Sequence, residues 1–499
     1  MKNTSTILVI DQGTTSTRAV LMDCAGNIIA LNNSPINQIY PKSGWVEHDA
    51  EQIWESVKAT ILNLKKQKPD HFSEIVTIGI TNQRETTIVW DKSSGKPVHN
   101  AIVWQDTRTS DFCIRNNEIN STIRSKTGLL LNPYFSATKI NWILENYDPA
   151  KASCNKNNLL AGTIDTYLIW KLTGGKSFCT DHTNGSRTLL MNIHNGEWDD
   201  ELLSIFNIPK SILPEIKPSV SDFGTTFGND FLRDGIPITG VAGDQQASLV
   251  GHRCHSPGQA KCTFGTGAFL LSHTGDAPII SNSGLLTTMA ATTGSKFQYC
   301  LEGSVFIAGA AVQWLRDGLQ IINAASESEQ LGLSSDTTSE VTFIPALSGL
   351  GCPYWNSNFK GTILGLTRKT TKKEIAYATF EGVSHQVADL LDSIKSNFPN
   401  PLKILAIDGG MTNNKLFNQV LANISGVTIK MSPNSEMTSI GAGILAGLGA
   451  GIFNLKDFNT PIENKGTLFL PGLSDESNKY KRNNWKKAIK ALENFYTQN

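Results

Sequence analysis

What this sequence lacks narrows it before any motif is considered. Lys plus Arg and Asp plus Glu both number 44, so no excess of positive charge awaits a nucleic-acid backbone. The longest apolar run, "IGAGILAGLGAGIF" from Ile440 to Phe453, is too short to cross a bilayer. Its small residues suit a buried helix packed closely on its neighbours. Ile7 to Ile10 is far too short for the apolar core of a signal peptide, which predicts a cytoplasmic protein. The eight cysteines form no CxxC pair and have no His partners at metal-ligand spacing, which argues against a disulfide framework or a zinc site. Pro- or Ser-rich linkers and low-complexity tracts are missing. So is a P-loop, because "GGKS" at Gly174 to Ser177 lacks the earlier Gly. "DFG" at Asp222 to Gly224 comes without the other protein-kinase segments. "GAGILA" at Gly441 to Ala446 follows a polar loop and not a strand, so its glycines read as helix-packing residues.

What is present is a chain of 499 residues, long enough for two large lobes around a cleft. "ILVIDQGTTSTRAVLMD" (Ile7 to Asp23) reads as strand, polar knot, strand. A third strand is predicted near Asn27 to Leu31. A long helix follows, with Asp49 and Gln52 as a capping box and Ile53, Val57, Ile61 and Leu64 at helical spacing. "EIVTIGITNQRETTIVW" reads as strand, corner, strand, with Arg84 and Glu85 at the corner, and "AIVW" (Ala101 to Trp104) as another short strand. The second half repeats the plan. "KCTFGTGAFLLSH" (Lys261 to His273) is again strand, Gly/Thr knot, strand, preceded by "PITGVAGDQQASLVG" and followed by "LKILAIDGGMTNNKLFNQVLANISG". Strands alternating with long helices predict an α/β sheet covered by helices. Two such hairpins predict two lobes sharing a cleft, residues 1–250 and 251–499 with the boundary near Gly251. The basic stretch "KYKRNNWKKAIK" (Lys479 to Lys490) reads as the solvated face of a terminal helix.

Gly13 and its neighbours can aim backbone N–H groups at an anion, yet Asp11 sits beside them, and a carboxylate repels phosphate. Each Gly/Thr knot alone reads equally as a tight turn. Together, Asp-Gln-Gly-Thr-Thr, Phe-Gly-Thr-Gly and Asp-Gly-Gly resemble the nucleotide cleft of the actin, hexokinase and heat-shock-chaperone ATPases. Within that group the chain resembles the FGGY carbohydrate kinases, through "YFSATKINWILEN" (Tyr134 to Asn146) and "GTILGLTRKTTKKEIAYATFEG" (Gly361 to Gly382).

The resemblance implies an α/β fold of two actin-like, ribonuclease H-like ATPase lobes with a central cleft, and ATP and Mg²⁺ as cofactors. It places Asp11 on Mg²⁺, which screens it from ATP; Mg²⁺ takes one or two carboxylates alongside phosphate oxygens and waters. It places Thr14, Thr15, Ser16 and Arg18 around the terminal phosphates from one lobe and Thr266 from the other. Gly309, Gln313, Gly410 and Asn414 match positions that hold the rest of the nucleotide. "GWVEHD", "GITNQRETT", "AIVWQ" and "AGDQQA" are similar to the family members that phosphorylate glycerol. On that match Arg84, Glu85, Tyr134 and Asp244 contact glycerol with Gln245 beside them, and Trp104 and Phe269 wall its carbon chain. Asp244 is the general base of the implied transfer. From the residues alone, Arg84 and Glu85 read equally as a surface ion pair or as a bulged corner turned inward. Relatives imply a homodimer or homotetramer. "FGNDFLRDGIPITG" (Phe227 to Gly240) shows neither the loop that binds fructose 1,6-bisphosphate in some bacterial relatives nor the phosphorylatable His of others. Regulation by either route is therefore not implied.

Overall fold

A computed structural model of the chain describes residues 5–146, 158–336, 338–398, 402–454, 456 and 466–497. Cys154, one of the eight cysteines, lies outside them. The other seven are unpaired thiols. Among the described residues no helix is long and apolar enough to cross a membrane.

The first sheet is built by β1 (Thr6–Gln12), β2 (Ser16–Asp23), β3 (Ile28–Pro35), β4 (Ile75–Asn82) and, after a short strand β5 (Thr87–Asp91) in a separate small sheet, β6 (Ile238–Gly243). Its order is β6-β4-β1-β2-β3, with β1-β2 and β2-β3 antiparallel and the two pairings on the far side parallel. The side-chain period of two shows directly. Leu8, Ile10, Ala19 and Leu21 face the helix α1 (Ala50–Gln67) through Ile53, Val57, Ile61 and Leu64. Ile7, Val9, Val20 and Met22 face the opposite layer. Asp49 caps α1, accepting the N–H groups of Glu51 and Gln52. The predicted box is only half made, because the Gln52 side chain turns to accept from Asn37 N–H instead. Strand β3 runs longer than its apolar stretch. It is an edge strand, so Asn32, Asn33 and Ser34 continue the pairing with β2 while meeting solvent.

The second half repeats this arrangement. Its helix α2 (Asp244–Gly251) leads into β7 (Ala260–Phe264), β8 (Ala268–Gly275), β9 (Leu286–Met289) and β10 (Tyr299–Val305). Then come α3 (Gly309–Asp317), α4 (Lys372–Asn397), β11 (Ile404–Asp408), α5 (Lys415–Ser425) and β12 (Thr428–Met431). Helix α6 (Met437–Gly449), β13 (Thr467–Phe469) and α7 (Asp475–Thr497) finish it. The sheet order is β9-β10-β8-β7-β11-β12-β13, antiparallel up to β7 and parallel from β7 to β12. Stripped of its two added edge strands, this is the topology of the first sheet. The recurring Gly/Thr hairpins are the same β1-β2 turn built twice.

Two local expectations are corrected. "AIVW" makes a strand only at Ala101–Ile102. Asp106 accepts from Val46 N–H and holds Arg108, which pulls Trp104 into a turn. The basic stretch near the end is not merely solvated. On α7, Lys481 pairs with Glu381, Arg482 pairs with Asp389 and Asp392, and Trp485 is buried between them and α4.

The glycine-rich run forms α6, as its small residues require. It lies on the first sheet and crosses α2 with the two backbones touching. A Cβ at Gly441 would fall 1.8 Å from the Ala247 carbonyl oxygen, and one at Gly251 would fall 2.1 Å from that of Met437. Gly441→Ala is therefore expected to cost about 3 kcal/mol or more through backbone displacement. Gly294→Ala, where an added Cβ meets nothing within 4 Å, should stay within about 0.5 kcal/mol. Thermal unfolding of both variants beside the parent checks this.

Candidate active site

Three adjacent strands of the first sheet, β6, β4 and β1, run parallel. Ligand sites of open α/β sheets gather outside the carboxyl ends of such strands. There the sequence places Asp11 at the end of β1, Arg84 and Glu85 just after β4, and Asp244 as the first residue of α2 after β6. The β1-β2 turn carries Gly13 to Ser16, closed by Gly13 N–H donating to the Ser16 carbonyl at 2.9 Å, with Thr15 exposed at its tip. It is tied to the β4 corner: Gln83 N–H donates to the Gln12 carbonyl at 2.7 Å, and Gln83 Nε2 to the Gly13 carbonyl at 3.1 Å.

The corner itself is turned inward. Glu85 has φ 62°, in the left-handed region that a non-glycine residue occupies at a cost. This kink lets two neighbours face one interior, and both Arg84 and Glu85 are buried. The surface-ion-pair alternative is thereby excluded. Arg84 makes a forked pair with Glu302, Nη1 to Oε2 and Nη2 to Oε1, each at 2.7 Å. Its Nε lies 3.3 Å from Asp244 Oδ1 and 3.9 Å from Glu85 Oε1. Arg187, fully buried, donates from Nε to Glu85 Oε1 at 2.6 Å and brings Nη2 to 3.2 Å from Glu302 Oε1. Burial alone would raise the Glu302 carboxyl, but Arg187 and Arg84 outweigh it and hold it down at about 2. Burial opposes charge on Arg84 too, and there Glu302 and Glu85 win. At Glu85 burial prevails and raises the carboxyl against the pull of Arg187 and Arg84.

An aromatic wall stands over these charges. Trp104 meets Tyr134 edge-on at 5.5 Å and Phe269, on β8 of the second sheet, at 6.0 Å. Trp104 Nε1 donates to Thr14 Oγ1 at 2.9 Å, joining the wall to the β1-β2 turn. Tyr134 is held from behind by Lys139, whose buried amine donates to the Tyr134 and Phe135 carbonyls. Burial lowers that amine to about 7, against the opposing pull of Glu85 and Asp106. Asp244 Oδ1 accepts Gln245 N–H at 2.7 Å, and its Oδ2 accepts from Gln245 Nε2 at 3.1 Å. The Gln245 oxygen in turn accepts from the buried Lys261.

Asp11 is buried. Ser439 Oγ donates to its Oδ2 at 2.7 Å, and Arg18, its cross-strand neighbour, lies 3.8 Å away. Burial pushes the Asp11 carboxyl up to about 6; Arg18 and Ser439 pull it partway back, while Glu436 and Asp244 raise it. On the second sheet, Thr266 sits exposed in the β7-β8 turn. This turn rests on the start of α3: Ala308 and Ala310 N–H donate to the Thr266 carbonyl, and Gly309 N–H to that of Gly265. Gly409, at φ 96°, lies against Phe264, so Gly410 comes to the same edge. Gln313 is exposed one turn further along α3, and Asn414 spends its side-chain oxygen capping α5.

Residues 6–251 match the FGGY family of carbohydrate kinases, N-terminal domain, and residues 260–450 the C-terminal domain of the same family. The chain belongs to the FGGY family of carbohydrate kinases. This FGGY chain is 45% identical over 491 residues to a glycerol kinase of Listeria monocytogenes, covering 98% of this chain and 99% of that one. It is 44% identical over 491 residues to a glycerol kinase of Staphylococcus haemolyticus, covering 98% of each. The crystal structure of Plasmodium falciparum glycerol kinase with ADP superposes with a TM-score of 0.90 at 39% identity over 98% of both chains. A xylulose kinase of Lactobacillus acidophilus superposes at 0.87 with 23% identity, covering 99% of each chain, which speaks to the fold alone. The FGGY fold is thus shared in full, with its paired actin-like lobes.

Glu302, Arg187, Lys261 and Ser439 are the site residues that motif reading overlooked. Glu302 had a signal: it is the single charge in "YCLEGSV", a strand buried throughout, and a buried charge requires a partner. Lys261 carries the same mark, as the single charge in the buried strand "AKCTF"; Arg187 and Ser439 carry none.

The burial of Asp11 has a measurable cost. Its folded value of about 6 lies above the ordinary 3.8, so its ionisation opposes folding: the penalty sets in above pH 3.8, is complete above about pH 6 and disappears as pH falls below the unfolded value. In buffer free of nucleotide and divalent cation, Asp11→Asn is expected to be about 3 kcal/mol more stable than the parent at pH 7.5. That margin should shrink to about half at pH 5. Denaturant unfolding at both values reads it.

Proposed function

We propose that this FGGY chain transfers the γ-phosphoryl group of ATP to a terminal hydroxyl of glycerol, giving sn-glycerol 3-phosphate. The observation that carries the reading is the meeting, at three neighbouring strand ends, of Asp244, Arg84 and Glu85 beside the Gly13–Ser16 turn, with Arg84 3.3 Å from Asp244. Full-length likeness to glycerol kinases supports it.

A triol needs both donors and acceptors, and charge-assisted hydrogen bonds to it contribute about 1.5–3 kcal/mol each. Arg84 supplies donors, Glu85 and Asp244 supply acceptors, and Tyr134 adds a phenol. Trp104 and Phe269 lie against the carbon chain, while Gln245 holds Asp244. Phosphoryl transfer has a loose transition state, so positioning and charge neutralisation dominate. Asp244 takes the proton from the attacking hydroxyl at a carboxylate oxygen. The Thr14, Thr15, Ser16 and Thr266 turns grip the phosphates with Arg18, and Gly309, Gln313, Gly410 and Asn414 line the rest of the nucleotide. Asp11 fits Mg²⁺: a dry carboxylate with a raised pKa gains most from a cation, and no cluster of three ligating side chains occurs among the described residues. That agrees with an ion that keeps waters and takes phosphate oxygens. When bound, Mg²⁺ neutralises the polyphosphate charge. The two lobes, residues 1–250 for acceptor and phosphates and 251–499 for nucleotide, close on the substrates to exclude water. The protein acts in the cytoplasm as a homodimer or homotetramer.

A coupled assay with ATP tests the acceptor across glycerol, erythritol, dihydroxyacetone and xylulose. Glycerol should lead in kcat/KM by at least about tenfold, a gap that site-built hydroxyl recognition readily supplies. A clear preference for another polyol would overturn the assignment. Asp244→Asn should lose about 10²–10⁴ in kcat while ATP affinity stays within about threefold, measured by calorimetry with Mg²⁺ and a non-hydrolysable ATP analogue.

A further inference from the structure

We propose that Glu302 is the positioning residue of the acceptor site, holding the Arg84 guanidinium in one plane and keeping it from collapsing onto Asp244. The inference rests on the acceptor reading given above.

A guanidinium has five N–H donors. Glu302 takes one from each terminal nitrogen of Arg84 at 2.7 Å, and Gln246 Oε1 accepts another from Nη1 at 3.2 Å. That leaves the Nε hydrogen and one on Nη2. The Nε lies 3.3 Å from Asp244 Oδ1, close enough to orient but not forked onto it. Forked pairing is the geometry that arginine and carboxylate prefer. Without Glu302, the nearest carboxylates left for the Arg84 fork are Asp244 and Glu85. Folding onto Asp244 would occupy the lone pairs that must accept the substrate proton. Folding onto Glu85 would remove an acceptor from the triol.

Arg187 cannot substitute for Glu302 or release Arg84. Its Nε is committed to Glu85 Oε1 at 2.6 Å, and its guanidinium lies over the Tyr134 and Phe135 rings at 5.6 and 5.1 Å. Glu302 has only 1% of its side chain exposed; it also meets Arg187 Nη2 at 3.2 Å, but its forked contact, and with it the orientation of a substrate-facing donor, is with Arg84. It also stands on the other sheet. Strand β10 pairs with β8 in the register Phe269↔Ser304 and Leu271↔Glu302. The strand that carries the Phe269 wall and the strand that clamps Arg84 are therefore neighbours, and the second sheet sets the orientation of a donor on the first.

The test compares parent, Glu302→Gln, Arg84→Ala and the double variant in steady-state kinetics. Folding is checked by thermal unfolding and ADP binding. Parent turnover on glycerol is measured first; its absence would overturn the acceptor reading alone, and the variants are then compared on whichever polyol the parent phosphorylates. Glu302→Gln should raise the acceptor KM and lower kcat, each by about tenfold or more, with the KM for ATP within about twofold. In the Arg84→Ala background the same change should alter acceptor kcat/KM by less than about twofold, because the residue it acts through is gone. Acceptor constants within twofold of parent in folded Glu302→Gln would overturn the proposal. So would losses that multiply independently in the double variant, or ATP and acceptor KM rising together. Glu302→Asp, which keeps the charge and withdraws it by one methylene, carries the same comparison if the Gln variant does not fold.

Discussion

Four buried charges, Arg84, Glu302, Arg187 and Glu85, form the junction on which the rest of this molecule is arranged. A buried ion pair gains little over a well-packed apolar one, because desolvation offsets its attraction, whereas removing one partner costs about 3–5 kcal/mol. Such a cluster therefore contributes specificity more than stability. Its members come from a strand corner of the first sheet, a turn in the same half and a strand of the second sheet. They can pair only when both sheets stand in one relation, and that relation also brings Phe269 to Trp104.

The duplicated sheet topology explains why the opposing turns belong to one site. Each half presents a β-hairpin turn next to parallel strands whose carboxyl ends open toward the cleft. Backbone N–H groups come from the turns, and chemistry-bearing side chains come from the strand ends. The two lobes share this plan, yet only the first has an acidic residue inside its hairpin, Asp11. The corresponding place on the second sheet is taken by Thr263, with Asp408 one strand over, 3.4 Å from His252. The asymmetry fits the proposed roles, a cation on the first side and the rest of the nucleotide on the second.

Much of this was legible because the informative residues sit in short local patterns. Thr14 and Thr266 lie in turns flanked by apolar runs, Asp11 lies at the end of the strand that enters the first of them, and Asp244 follows a glycine at the mouth of a helix. Elements bounded by such turns came out where periodicity put them. The limits were physical. An edge strand such as β3 hides behind polar residues, because pairing and not burial maintains it. The Trp104 segment ends early because Asp106, two residues on, accepts from a backbone N–H 60 residues distant from it in sequence, that of Val46. The inward face of Arg84 could not be read locally, since the partner that draws it in is 218 residues distant. Ser439 matters for the same reason, through a contact with Asp11 that no linear pattern records.

The bare crossing of α2 and α6 bears on how this enzyme can diverge. Helix α2 begins at Asp244, and α6 carries the Ser439 that braces Asp11, so the gap between the two carboxylates is set where main chains touch with no side chain between them. Nothing there can be trimmed or enlarged by degrees; the first available step is a whole methyl. The aromatic wall can be reshaped by exchanging side chains, whereas the span between the two carboxylates proposed to anchor the cation and to accept the proton is a fixed gauge set by main chain.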